Sequence, residues 1–143
     1  MSISLLFHSW EQEFIKLTKN IANHFNLGYC ERYTRNCQNF FINQLGYDLN
    51  KTAHYTHIEE LRLLVNVIKH GDGHSAKKLK ELRPDYFKNE FGEDSLALTQ
   101  NVFTSTKTLI VTEQDFKIYW NAIKEFWFHL PTKFSLSSKR DPL

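Results

Sequence analysis

Arg62, Asn66 and His70 stand four residues apart in LRLLVNVIKH. In a helix that spacing stacks them on one face, and Lys69 falls on the same stripe. The chemistry open to such a set is recognition of a phosphate and transfer of a proton. The planar fork of arginine can hold the phosphate, an amide can position a hydroxyl or the imidazole, and histidine can exchange a proton near neutral pH. His70, Asn66 and Arg62 are therefore the catalytic candidates. Directly after them comes Gly71-Asp72-Gly73-His74-Ser75, with Lys77 and Lys78 beyond. A helix restarting at Ser75 would present unpaired backbone N–H groups, with two lysines just inside and two glycines permitting close approach. Lys69, Asp72, His74, Ser75, Lys77 and Lys78 are the ligand-binding candidates on that account. More economically, Gly71 is a helix stop and Ser75 a cap. His54, His57, His70 and His74 also invite a metal reading. Their spacing matches no zinc signature, and His70 and His74 are separated by the glycine break, so neither a metal nor a cofactor is expected. No nucleophilic triad can be singled out.

The elements that must position these residues follow from apolar periodicity. Ser9 and Gln12 have the form of a capping box, followed by Trp10, Phe14, Leu17, Ile21 and Phe25 at helical spacing, with Gly28 as the stop. A second helix runs from about Cys30 to Leu45, carrying Tyr33, Cys37, Phe40 and Phe41 on one stripe and ending at Gly46. The third starts near Thr56, has Glu59 and Glu60 in its first turn, and ends at His70. Its core side is Ile58, Leu61, Leu64, Val65 and Ile68, with Leu63 and Val67 walling the polar stripe. A short helix capped by Ser75 reaches Leu82 and is stopped by Pro84. Thr112 to Asp115 reads as the start of a last helix, with Phe116, Tyr119, Trp120, Ile123, Trp127 and Leu130 facing inward until Pro131. The stretch near 101–111 is β-branched and apolar, which predicts a short β-hairpin or an extended segment. The fold class is mainly α: an antiparallel bundle of four main helices plus the short one. It forms one domain over 1–131, and a polar tail over 132–143 that should fray.

The chain has 143 residues, enough for one domain with a real core. Its 41% hydrophobic and 24% charged residues are those of a globular protein, and twelve Phe predict an aromatic-rich interior. A net charge of +2 excludes a broad basic footprint, so any basic site must be local. The first residues lack a basic n-region, no window is apolar enough to span a membrane, and Cys30 and Cys37 are too far apart on one helix for a disulfide. A cytoplasmic protein with no membrane partner is the expectation.

The run Val65-Asn66-Val67-Ile68-Lys69-His70, on the third helix of the expected bundle, resembles the hallmark of the HEPN superfamily of small all-helical domains. There an Arg, usually followed by a polar residue such as Asn, precedes a His by a few positions. Asn66 and His70 match, while Val65 occupies the Arg position. The resemblance is strongest from Ile58 to Phe87, and this stretch is also similar to helical domains of bacterial toxin–antitoxin or phage-defence proteins. It implies a metal-independent endoribonuclease, with motifs from two protomers meeting across a homodimer. His70 would be the acid/base group and Asn66 its companion. Val65 cannot hold a scissile phosphate, so Arg62 or Lys69 would have to. Many domains of the superfamily lack the motif and serve as binding or assembly modules. The partner is then either RNA or a protein, the latter in an antitoxin- or immunity-type complex. The first class requires an open groove along Arg62, Asn66, Lys69 and His70. The second requires that stripe to be plugged by the chain's own side chains, with an exposed aromatic patch elsewhere, for which Phe126 and Phe128 are candidates.

Overall fold

The computed structural model describes residues 1–28, 34–71, 73–88 and 109–138. Among them the chain forms five α-helices and two short 3-10 turns, with no strand. The helices are α1 (Ile3–His24), α2 (Thr34–Leu45), α3 (Ala53–His70), α4 (Gly73–Leu82) and α5 (Glu113–His129). The 3-10 turns are Leu49–Lys51 and Pro84–Phe87. The mainly helical bundle expected from periodicity is the fold. Helix α3 is its centre, packing against α1, α4 and α5, while α2 covers α1. No described helix is long and apolar enough to cross a membrane.

Helix α1 starts seven residues earlier than the Ser9 capping box predicts. Ser2 is the cap, its hydroxyl accepting the Leu5 N–H at 3.2 Å. The upstream turns are held because Leu6 and Phe7 continue the buried stripe of Trp10 and Phe14, which leaves Ser9 exposed in mid-helix. The stop is likewise earlier than Gly28. Asn26 takes the left-handed conformation (φ 56°), and the bonds Asn26 N–H to Asn23 O and Leu27 N–H to Ala22 O close the end in a Schellman arrangement. Residues 29–33, with Cys30 and Tyr33, lie outside the described residues, and the described part of α2 begins at Thr34.

Helix α3 begins at Ala53, three residues before the expected Thr56, so Glu59 and Glu60 sit in its second turn. Its burial is wider than one stripe. Leu63 and Val67 are core residues, and Glu60 is buried too. The end is as expected: Gly71 adopts φ 56° and gives its N–H to Val67 O at 2.9 Å. Asp72 lies outside the described residues, and α4 already starts at Gly73. Ser75 is therefore inside the helix, not its cap, and it is buried on the inner face with Ala76 and Leu79.

The interior is aromatic. Phe126 meets Trp10 and Phe14 at ring separations of 5.4 and 5.2 Å, and Phe14 meets Phe41 at 5.3 Å. Each such pair adds about 0.5–1.5 kcal/mol beyond area burial. In α5 the inward stripe is Asp115, Tyr119, Ala122, Ile123 and Phe126. Trp120 and Trp127, expected inside, are 42% and 37% exposed, and Phe126, expected on a surface patch, is fully buried. Hydrogen bonds drawing Asp115 to Arg83 and Tyr119 to Glu60 set this rotation of the helix. Of the stretch near 101–111 expected to be a hairpin or extended, residues 101–108 lie outside the described residues. Its end, Leu109 to Thr112, is non-helical, and Ile110 N–H donates to Tyr86 O. The tail does not fray over 132–138: Phe134 packs on Phe41 at 5.6 Å, and Ser137 N–H donates to Gln44 O at 2.7 Å.

Candidate functional site

A cleft of about 410 Å³ opens between α1, α2 and α3. Helix α3 contributes Glu59, Arg62, Val65, Asn66, Lys69 and His70. The i, i+4 repeat sets Arg62, Asn66 and His70 along one wall over roughly 12 Å of helix. Helix α1 brings Phe7, His8 and Glu11, and helix α2 brings Thr34, Arg35 and Gln38. Phe7 and Val65 are buried and give the cleft an apolar floor.

Polar contacts cross-link the walls. Thr34 Oγ1 donates to Glu11 Oε2 at 2.6 Å, joining α2 to α1. Gln38 Nε2 donates to Glu59 Oε1 at 3.4 Å, joining α2 to α3. Arg62 Nε pairs with Glu59 Oε2 at 3.1 Å, and His8 Nδ1 lies 3.7 Å from Glu11 Oε1. Each carboxylate is thus already engaged from inside the protein. Arg35, Lys69 and His70 make no side-chain ion pair with a described residue, and Lys69 and His70 are exposed at the end of α3. Among the described lining residues, three fixed cations (Arg35, Arg62 and Lys69) stand against two carboxylates, a formal charge of +1, or +3 with both histidines protonated. What such a surface can do is hold a phosphate between guanidinium and ammonium groups and exchange protons through an imidazole beside it.

The four α3 candidates are therefore brought together, and the groove along them is open. The corner candidates are not part of it. His74, Lys77 and Lys78 are exposed on α4, Ser75 is buried, and none of them lines the cleft. Asp72 lies outside the described residues. Helix α4 starts at Gly73, so Ser75 is the third residue of its first turn and not its cap, and its side chain is buried against the core. The histidines are dispersed as well. His54 and His70 are sixteen positions apart on one helix, roughly 24 Å along its axis. Among the described residues no three His, Cys, Asp or Glu side chains are placed to hold a metal ion.

Periodicity could not reveal His8, Glu11, Thr34, Arg35 and Gln38 as members of the cleft. Each is an unremarkable polar residue on its own helix, and only the packing of α1 and α2 beside α3 collects them. A second polar cluster was equally hidden. Arg83 Nη1 donates to Glu60 Oε1 at 3.0 Å and to the Tyr86 hydroxyl at 2.8 Å. Its Nη2 reaches Asp115 at 2.8 Å and Asp85 at 2.7 Å. Tyr119 donates to Glu60 Oε1 at 2.6 Å and lies 2.7 Å from the Tyr86 hydroxyl. The hydrogen bond with Asp85 does most to hold the Arg83 guanidinium protonated, and that with Arg83 in turn lowers the Asp85 carboxyl. Burial opposes ionisation of Asp115, yet bonds from Arg83 and Thr112 outweigh it and hold that carboxyl below the usual range. Burial raises both tyrosine hydroxyls. Glu60, Tyr86, Tyr119 and Asp115 of this cluster are buried and only its Asp85 edge is exposed, so it belongs to the architecture, whereas the cleft is open to solvent.

No protein-family model, no curated protein and no solved structure matches the chain. The reading of the cleft rests on its own residues.

Proposed function

We propose that the cleft binds the sugar–phosphate backbone of RNA and cleaves it without a metal ion, in a HEPN-like domain serving bacterial defence or a toxin–antitoxin pair. One observation carries this reading: Arg62, Asn66, Lys69 and His70 line an open groove that Arg35 enters from a second helix. Arg62 supplies what Val65 cannot, a guanidinium for the phosphate one turn before Asn66. Its bond to Glu59 uses Nε, which leaves the Nη pair for a phosphate oxygen. His70 exchanges the proton, and Asn66 positions the hydroxyl or the ring.

The test is cleavage of a mixed RNA pool in EDTA by the wild type, His70→Ala and Arg62→Ala. Activity should fall by roughly 100-fold or more for His70→Ala. Arg62→Ala should weaken RNA binding and flatten its salt dependence by about one charge. Cleavage that is absent from the wild type, or equal in all three proteins, sinks the catalytic reading.

A second reading, a non-catalytic protein-interaction module, has its own support in the outer face of α5. Trp120, Trp127 and Phe128 are exposed there, Phe128 to 81%. On that reading their replacement by serine abolishes function in the cell while cleft variants are silent.

A further inference from the structure

We infer that His8 is the second acid–base group of the cleft, so that one chain carries both proton-transfer residues. This rests on the RNA-cleaving reading above and extends it to a residue outside the motif. His8 comes from α1, across from the α3 wall that ends in His70, and both imidazoles line the same 410 Å³ cleft. Its side chain is half exposed, and its Nδ1 faces Glu11 Oε1 at 3.7 Å. Glu11 is itself fixed by the Thr34 hydroxyl at 2.6 Å. At that distance the contact is an ion pair of the protonated ring and not a hydrogen bond; it puts a carboxylate on the Nδ1 side and leaves Nε2 as the atom to meet a bound ligand. Arg35 from α2 and Arg62 from α3 line the same cleft, where the phosphate of a bound strand would be gripped.

The reaction is an internal transesterification. His70 takes the proton of a ribose 2′-hydroxyl, and the oxygen forms a bond to the adjacent phosphorus. The bond from phosphorus to the 5′-oxygen breaks, and His8 Nε2 gives that oxygen its proton. The products are a 2′,3′-cyclic phosphate and a 5′-hydroxyl. No electron leaves the system, and exchange with water returns both histidines to their starting states. Two groups of complementary role are needed because one histidine cannot be base and acid in the same step.

The experiment compares wild type, His8→Ala and His70→Ala on one RNA oligonucleotide in EDTA, and on its analogue with sulfur at the scissile 5′ position. A thiolate leaves without a proton. On the oxygen substrate both variants should lose roughly 100-fold or more. On the sulfur substrate His8→Ala should recover and His70→Ala should not. An equimolar mixture of the two variants should restore nothing, because each chain holds a complete site. Wild-type speed in His8→Ala beside an inactive His70→Ala overturns the role of His8 and leaves the parent reading standing. Loss without rescue by sulfur overturns its role as the acid, and activity regained on mixing overturns the single-chain site. A wild type that cuts neither substrate removes both proposals.

Discussion

His54 shows how much of a side chain's behaviour is decided by neighbours its own helix does not supply. It opens α3, but its ring stacks on His129 at the end of α5, 5.7 Å away at an interplanar angle of 15°, and also meets the edge of Phe126. Burial, and then the charge that His129 can carry, push the His54 imidazole below its usual 6.5, while Glu125 pulls it partly back. Glu125 is already bonded to His129, at 2.7 Å. Between the lowered value and 6.5 the unfolded chain holds a proton at His54 that the folded chain does not. Folded stability from this contact is therefore complete above pH 6.5 and declines as the pH falls through the lowered value. Melting curves between pH 7.5 and 5 should show a smaller acid-induced drop for His54→Gln than for the wild type. An equal drop in the two proteins would mean that the stacked pair exerts no such effect. The same dependence on neighbours governs the cleft. Arg62 and its i−3 partner Glu59 are legible from their place on α3, while Gln38, which holds Glu59, becomes a partner only with α2 laid beside it.

Helices as units were largely legible, but their rotation and their ends were not. The apolar periodicity of α3 and the Gly71 stop both carried through, since a core stripe and a left-handed glycine are local properties. So did the Thr112 start of α5, where Thr112 and Asp115 form a reciprocal capping box. Ser9 and Gln12 have an equally good pattern and cap nothing, because Leu6 and Phe7 upstream gain more by packing than the chain would gain by starting at Ser9. Rotation failed on α5 for a related reason. An aromatic stripe through Trp120 and Trp127 satisfies the helical period as well as one through Tyr119 and Phe126. The choice lies with Arg83 and Glu60, which are distant in sequence. This makes α5 a direct test of which stripe is the core. Phe126→Ala should destabilise the protein by about 4 kcal/mol, since it empties a fully enclosed site among Trp10, Phe14 and Tyr55. Phe128→Ala, two residues on, should change stability by less than about 0.5 kcal/mol. Chemical denaturation of both variants checks the pair, and similar losses would place the core stripe elsewhere.

At the scale of the whole molecule, two polar assemblies among the described residues divide the labour. The cleft lies between α1, α2 and α3 and faces solvent, while the Arg83 cluster ties α3 to the Pro84–Phe87 turn and to α5. Arg83 reaches across 23 residues to Glu60 and 32 to Asp115, so a single guanidinium closes both of the long excursions that bring α5 against α3. It also lies over the Tyr86 ring at 4.0 Å, which adds a cation–π contact to the ion pairs. Nothing in the run Arg83-Pro84-Asp85-Tyr86 announces this, because a charged residue after a helix usually faces water. The consequence of removing it follows from what it leaves behind. In Arg83→Met the methionine keeps some of the apolar contact, but Glu60 and Asp115, each with a side chain only 8% exposed, lose their cation. Breaking a buried pair from one side costs about 3 kcal/mol here, allowing for the partial exposure of Arg83. The melting temperature should drop by roughly 10 °C in a chain of this size. Because Glu60 points away from the cleft, the variant should still bind RNA with wild-type affinity at temperatures where it is folded. A further change, Glu60→Gln in the Arg83→Met background, should recover part of the loss, since one of the two stranded charges is gone. A double variant no more stable than the single one would show that the cluster acts through packing and that its charges are incidental.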